Sequence, residues 1–588
     1  MPTVLIRTPN RGPWLELAAP VAILTAARAD SLPALLAEVE AQAAGGYLVA
    51  GYVTYEAAAA FDLPVQPAPG RVPLAWFGLF RPADAVLHER VPDHWHGPRP
   101  RLAWHPSVDP RAYEAAVARL HEHIGEGDAY QLNYTFRMRT EFSGDPRALF
   151  AALDAAQGGA WSAFIDTGDL AVCSASPELF FARDGRRLIT RPMKGTVPRG
   201  RTPEEDAVLA RTLTESAKNR AENVMIVDLM RNDVGRIARP GSVAVTALFE
   251  AERYPAQWQM TSTVEAELID GAGLPAIFGA LFPAGSVTGA PKIRSMQILA
   301  DIEDAPRGLY CGAIGLVEPE GRAHFNVAIR TVTVDRRAGT AEFGVGSGIV
   351  WDSDAASEFE ECRLKAAILT TPEPAFALVE SLRWEPGAGY ARTARHRARM
   401  AASADYFGFP FDAPAFDAAL ARAAGALSQP AKVRVLLARD GGITVDVRAL
   451  DPASAPVPVP LRVALADRPV DPADVFLFHK TTRRDAYERA DAAKPPGVDT
   501  VVLWNTAGEV TEAVNFNVVA EIDGRAVTPP VACGLLAGTL RAELLDAGTI
   551  TERTITVADL RAAARLWLIN SVRGRVEATL VDGPPSRA

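Results

Sequence analysis

The sequence predicts a protein of mixed α and β structure with at least two domains. Its 588 residues exceed what one core usually holds. Short strand-like apolar runs recur between longer segments of helical period along the whole chain. A proline-bounded stop, Thr370-Thr371-Pro372-Glu373-Pro374, separates residues 1–370 from 375–588, and the second part is long enough for its own core.

Composition narrows the function classes. Apolar residues make up 48% and charged residues 22%, the profile of a soluble globular chain. A net charge of -10 argues against a nucleic-acid or anionic-membrane partner. No apolar run approaches the ~18 residues of a membrane span. The start, MPTVLIRTPNRGPWLEL, lacks the basic and apolar regions of a signal peptide. Cys173, Cys311, Cys362 and Cys533 lie far apart without a CxxC pair. They fit a reducing cytoplasm, and neither a disulfide framework nor a zinc site.

Taken in order, Tyr47–Tyr55 and Leu74–Phe80 read as strands, and a helix follows from about Pro110 to Ile124 with Tyr113, Val117, Leu120 and Ile124 on one face. Gly125-Glu126-Gly127-Asp128 ends it, and a strand resumes at Tyr130-Gln131-Leu132. Ala163–Ile165 and Leu170–Ser174 pair as strands and lead to Ser176-Pro177-Glu178. Arg187–Thr190 then runs into Arg191–Gly200, where Pro192, Gly195 and Pro198 break the period as a tight functional loop would. Lys194 stands in its middle, and by itself reads as a nucleophile, a charge clamp or a solvated side chain.

A long helix is expected from about Pro203 to Asp228, placing Glu222, Met225 and Leu229 on one face. A carboxylate on such a face needs an ion-pair partner or a ligand role. Gly285–Lys292 lacks the Gly-Lys-Ser/Thr ending of a phosphate loop, but its glycines, with Thr288 among them, can present N–H groups at the start of the next helix. Phe325–Thr331 and Ala341–Ile349 read as strands. In the last helix of this part, Glu358, Glu361 and Lys365 share a face, which taken alone is an exposed salt bridge. In the second part, Lys480 follows the apolar run Val475–Phe478 and precedes Arg483 and Arg484, and alone reads as a basic surface turn.

Several blocks in register give the first ~370 residues a resemblance. They are Gly127–Gln131, Ser176-Pro177-Glu178, Pro192–Gly200, Ala221–Asp233, Gly285–Lys292, Arg307–Gly312, Ala328–Thr331, Gly346-Ser347-Gly348 and Glu358–Lys365. Together they resemble the chorismate-utilising enzymes. The resemblance implies a large two-sheet α/β sandwich. Glutamine at 131 is typical of the ammonia-adding branch, and lysine at 194 of its aminodeoxychorismate synthase members, in which the lysine bonds to the ring. It further implies Glu178 as general acid, and Mg²⁺ held by Glu222 and Glu361 with Glu358 nearby. Substrate contacts would come from Gln131, Thr288, Tyr310, Arg330, Gly346, Gly348 and Lys365. Gln259 stands where many members carry histidine, and Asn219 where several carry an acid. No Gly-x-Cys-x-Gly elbow is present, so the nitrogen is expected from free ammonia or a separate glutamine amidotransferase subunit.

Residues 375–588 resemble the class IV fold of pyridoxal-phosphate enzymes. The blocks are His396–Met400, Ser403–Gly408, His479–Arg483, Gly508–Glu512 with Asn517, Gly534–Arg541 and Asn570–Gly574. The resemblance makes Lys480 the Schiff-base lysine and Glu512 the partner of the pyridine nitrogen, with Arg399, Gly538 and Thr539 at the phosphate. It implies dimerisation through this domain. The fusion points to 4-aminobenzoate formation for folate, by amination of chorismate and then loss of pyruvate. The competing readings are an anthranilate synthase fused to an amino-acid aminotransferase, and a second domain that only docks a glutaminase.

Overall fold

Alternation along the strands sets the architecture of the first unit. In Thr3–Arg7, Val4 and Ile6 join one apolar cluster and Leu5 another. In Leu48–Val53, Leu48, Ala50 and Tyr52 share the cluster of Val4, whereas Val49 and Val53 belong to a third. Strands buried on both faces need cover on both. A computed structural model describes the chain except for residues 10, 69, 71, 371–375, 451–459 and 582–588. The stop read at Thr370–Pro374 lies, beyond Thr370, outside the described residues. The chain forms two units, Met1–Arg199 with Leu209–Glu373, and Gly200–Val208 with Pro374–Ala588.

The first unit holds two ten-stranded antiparallel sheets. One has Gln131–Glu141 beside Thr340–Ile349 and continues through Thr331–Asp335 and Leu170–Ser174 to Thr3–Arg7. The other runs from Met193–Pro198 through Gln257–Glu267, Arg187–Arg191 and Leu179–Asp184 to Leu48–Val53 and Ala75–Phe80. Val4, Ile6, Tyr52, Trp76, Val172 and Leu316 fill the space between them. Helices Leu32–Ala44, Ala217–Gly235 and Leu274–Leu281 cover the outer face of the second sheet. Helices Pro110–Gly125, Pro146–Gln157, Lys292–Ile302 and Ala355–Ala366 cover that of the first. This is the expected two-sheet α/β sandwich.

A buried ion pair ties the two sheets. Arg307, 2% exposed, donates to Glu303 at 2.7 Å and to the carbonyls of Val287 and Asn133 at 2.6 and 2.9 Å. The same Glu303 carboxylate accepts from the Thr135 hydroxyl at 2.8 Å, inside the strand Gln131–Glu141. The N–H groups of Arg307 and Gly308 donate to buried Glu56, in the turn Tyr55–Phe61 that follows Leu48–Val53.

Two local expectations are corrected. The helix expected over Pro203–Asp228 is two helices, Pro203–Glu215 and Ala217–Gly235. Ser216 leaves helical geometry (ψ 118°), and its side chain caps the second helix by accepting from the Asn219 N–H. The loop expected around Lys194 is an edge strand, Met193–Pro198. Its pairing with Gln257–Glu267 slips between Met193 and Thr196, where Gly195 has φ +99°. The glycine supplies the left-handed residue of a bulge, so the strand bends without ending.

In the second unit, a four-stranded antiparallel sheet contains Leu378–Glu385, Ala431–Leu437 and Ile443–Ala449. An eight-stranded mixed sheet includes Val510–Ala513, Thr500–Trp504, Leu461–Leu465, Gly574–Leu580, Arg565–Asn570 and Phe516–Ile522. The first of these also pairs with the last, so the six close into a ring. Val463, Val502, Val518 and Leu568 are buried in the core of this sheet.

Replacing Arg307 with Met would leave Glu303 buried without its partner, at a cost of roughly 3–5 kcal/mol. Denaturant unfolding of the full chain is expected to show a first transition at lower concentration, with Arg307→Lys falling between.

Candidate active sites

Lys194 points into a cavity of about 340 Å³ in the first unit. Its side chain is 18% exposed, and its Nζ lies 4.0 Å from Glu222 Oε2. Burial lowers the ammonium's pKa, Glu222 partly opposes this, and Lys365 adds to the lowering. Three contacts hold the strand beneath it. Asn223 donates to the Lys194 carbonyl at 3.3 Å, the Ser262 hydroxyl donates to Asn223 Oδ1 at 2.6 Å, and the Ser262 N–H donates to the Pro192 carbonyl.

Glu178 lines the same cavity and is 4% exposed. Burial pushes its carboxyl up to about 7, against the Ser286 hydroxyl, which donates to it at 2.6 Å, the Met193 backbone and the Lys194 charge. The cavity thus holds an amine biased toward its neutral form and a carboxyl biased toward its protonated form.

Glu222 lies on the face of Ala217–Gly235 with Met225 and Leu229, all half-buried, while Asn223, Ile226, Val227 and Met230 form the buried face. From the helix Ala355–Ala366 come Glu358, Glu361 and Lys365, all lining the cavity. Both oxygens of Glu358 accept from serines, Ser347 and Ser353. Glu361 is 53% exposed and meets Lys365 at 2.6 Å. Burial acts to raise the Glu361 pKa, but Lys365, Lys194 and Arg330 together oppose it and the net shift is downward. Lys365 also donates to the Gly346 carbonyl at 2.9 Å. Arg330 is buried at φ +54°, and burial brings its guanidinium down to about 10. Tyr310 packs against Gly344, where an added Cβ would meet its ring at 2.0 Å. At Gly348 a Cβ would meet Gln131 Nε2 and Lys194 Nζ, each at 2.6 Å, so a side chain there would displace the ends of both.

The cavity lining therefore contains Glu178, Lys194, Glu222, Tyr310, Arg330, Gly346, Gly348, Glu358, Glu361 and Lys365 of the expected set. Gln131 lies immediately behind Gly348, 1% exposed, with its Oε1 buried and without a hydrogen-bond partner among the described residues. Thr288 is outside the lining. Its hydroxyl is fully buried and donates to the carbonyls of Ala284 and Gly285. Gln259 and Asn219 both line the cavity. Ser286 and Asn223 escaped the sequence reading, because an uncharged residue beside a motif carries no signal of its partner.

The three glutamates offer an oxygen-only donor set around one cavity, which suits a hard cation that keeps waters and substrate oxygens in its shell. They do not form a preassembled cage. Among the described residues, the one His/Cys/Asp/Glu trio whose ligand atoms come within 4.8 Å of one another is His123, Glu126 and Asp128. There Asp128 is already bound to Arg294 at 2.5 Å.

Lys480 lines a second cavity, of about 270 Å³, with Arg399, Glu512, Gly538 and Thr539. Burial, with the Arg399 charge adding to it, lowers its amine to about 8. Glu512 is 5% exposed, and burial raises its carboxyl to about 7. It accepts from the Tyr487 hydroxyl at 2.6 Å, the Leu536 N–H at 3.1 Å and Asn517 at 3.2 Å, the last being its register partner on Phe516–Ile522. Gly538 caps the helix Thr539–Asp546, and a Cβ there would meet Asn517 Oδ1 at 1.9 Å. Arg399 bonds Glu380 at 2.7 Å and the Ala537 carbonyl at 2.9 Å. Burial acts to raise Glu380, but Arg399 and His396 hold it down at about 2. His396 bridges Glu380 at 2.6 Å and Ser571 at 2.7 Å. A buried amine, a buried carboxyl and a helix N-terminus beside an arginine match the parts that pyridoxal phosphate requires of a protein.

The chain was compared with known proteins. Residues 7–371 match the family described as chorismate binding enzyme, and residues 377–581 match amino-transferase class IV. Aminodeoxychorismate synthase component 1 of Escherichia coli (strain K12) is 40% identical over 258 residues, 44% of this chain and 56% of that protein. Anthranilate synthase component 1 of Streptomyces coelicolor is 36% identical over 370 residues, 55% of this chain and 72% of that protein. The crystal structure of anthranilate synthase component I from Streptococcus pneumoniae TIGR4 gives a TM-score of 0.52 at 26% identity, over 61% of this chain and 92% of that one. The chain spans 36% to 57% of the first aminodeoxychorismate synthases it matches. A family match over most of its length, together with the two-sheet fold around Lys194, makes this chain a member of the chorismate binding enzyme family, with a class IV amino-transferase domain following it.

Proposed function

We propose that the first unit aminates chorismate to 4-amino-4-deoxychorismate and that the second converts this to 4-aminobenzoate and pyruvate. The observation that carries the first step is a desolvated Lys194 amine facing the same cavity as a carboxyl held near neutrality, Glu178. Lys194 attacks ring carbon 2, the ring double bonds shift, and the carbon 4 hydroxyl leaves as water with the proton of Glu178. Ammonia then bonds carbon 4, the double bonds return, and Lys194 departs as the amine. One difficult displacement becomes two allylic ones. Gln131, with its unpaired buried Oε1, offers an acceptor to N–H donors beside Lys194. Arg330, Tyr310 and the Gly346–Gly348 backbone hold one substrate carboxylate. Glu222 and Glu361, with Glu358 nearby, would hold Mg²⁺, which neutralises the other. Several relatives are named component 1, so a separate component, a glutamine amidotransferase, supplies the ammonia in this reading.

In the second unit, pyridoxal phosphate, when bound, supplies an electron sink. Glu512 would pair with its ring N–H, and Arg399 and the Gly538-Thr539 helix start would hold its phosphate. Lys480, whose lowered pKa gives it a larger neutral fraction near pH 7 than an ordinary lysine has, would take the proton from carbon 4 of the substrate, and aromatisation would drive loss of the enolpyruvyl group.

Lys194→Ala is expected to abolish aminodeoxychorismate formation from chorismate, ammonia and Mg²⁺, followed by product chromatography. Unchanged output would remove the covalent route, and anthranilate as wild-type product would favour the competing reading. Glu178 must be protonated to act, so the amination rate should fall as pH rises through about 7. Glu178→Gln should lose that limb along with most of the rate. The protein with added pyridoxal phosphate should absorb visible light, and Lys480→Ala should erase the band. A colourless wild type would contradict the second assignment.

A further inference from the structure

The cavity around Lys480 carries more positive charge than a bound phosphate requires. Of its lining cations, Arg399 is neutralised by Glu380 at 2.7 Å and Arg483 by Asp485 at 3.1 Å. Lys432, Arg484 and Arg573 line the same cavity, and none has a carboxylate within 4.0 Å among the described residues. Two of them, Arg484 and Arg573, contact a stretch other than the helix start at Gly538. Arg484 donates to Asn515 at 3.0 Å and lies over the Tyr487 ring at 4.7 Å, and Arg573 lies over Phe516 at 5.8 Å. Guanidinium planes held on aromatic faces keep N–H donors for a planar anion.

The strand register sharpens this. Lys432 on Ala431–Leu437 has Arg383 directly opposite on one side and Arg448 directly opposite on the other. Like charges at facing positions destabilise a sheet. Arg383 is relieved by Glu385 at 2.5 Å, but Lys432 has no such partner. Burial lowers its pKa, and Arg434, Arg448, Arg573 and Arg484 lower it further. Repulsion of this kind is relieved when an anion occupies the site. A single carboxylate would leave at least two of the three cations unmatched.

We propose that Lys432, Arg484 and Arg573 form a carboxylate-reading wall in the Lys480 cavity, selecting an amine that bears two carboxylates over a monocarboxylate amino acid. The inference rests on the reading of Lys480 as the cofactor lysine.

The test uses the full-length protein loaded with pyridoxal phosphate, whose visible band reports on the second site alone. Chorismate brings two carboxylates and no amine, and benzoate brings one carboxylate. The band is expected to shift on titration with chorismate, with half-saturation at least about tenfold below that for benzoate. Lys432→Gln and Arg573→Gln should each raise the chorismate half-saturation roughly tenfold or more, and Lys432→Arg should restore most of the loss. Should Lys432→Gln misfold and lose the band, Arg573→Gln, at an exposed position, decides alone. No shift with chorismate, equal half-saturation for the two acids, or an unaltered value in Arg573→Gln overturns the proposal. If the band never forms before any acid is added, the cofactor reading fails and this inference fails with it, so the two failures are distinct.

Discussion

The ion pair between Arg307 and Glu303 is the constraint on which the first unit's geometry depends. Its donors and acceptors reach Asn133 and Thr135 on one sheet, and the adjoining backbone reaches Glu56 beside the other. Removing two charges from water costs several kcal/mol each, repaid only if every remaining hydrogen-bonding group is satisfied. Here the guanidinium finds Glu303 and two carbonyls, and Glu303 finds Arg307 and the Thr135 hydroxyl. Such a pair specifies position more than it adds stability. It fixes the start of Gln131–Glu141, and with it Gln131 behind Gly348, and it fixes the turn at Val287, next to the Ser286 that holds Glu178.

Each unit then applies the same device to a lysine. Desolvation disfavours the ammonium, and a neighbouring acid restores part of the charge without cancelling the effect. In the first unit Glu222 plays that part for Lys194, and in the second Glu380 and Glu512 do so for Lys480. Each cavity also buries one carboxyl with a pKa near 7, Glu178 and Glu512. Groups shifted in this way hold both protonation states near neutral pH, which the proposed roles of Lys194 as nucleophile and Glu178 as acid require.

Much of this was legible in the sequence. The strands at Leu48–Val53 and Leu170–Ser174 and the helix Pro110–Gly125 follow from their apolar period, and the motif blocks delivered Lys194, Glu178 and the glutamates to one cavity. Errors arose where local signals compete. Pro192, Gly195 and Pro198 read as a loop because nothing local announces that Gln257–Glu267 supplies the pairing partner. The run from Pro203 to Asp228 read as one helix because Ser216 is tolerated inside a helix as well as at its cap. The Thr288 hydroxyl is turned to its own turn's carbonyls, a pairing that its motif does not announce.

By itself the sequence determined the mixed α and β class and the residue types able to do the chemistry, because those depend on composition, period and motif order. Only the tertiary structure decided which charges lose their water, which find a partner and which stay unmatched. Lys480 and Lys432 are both lysines in the second half of the chain, and nothing local assigns them to one cavity. A pKa or a charge balance is a property of the groups packed around a residue, and these come from strands and helices far apart in the chain.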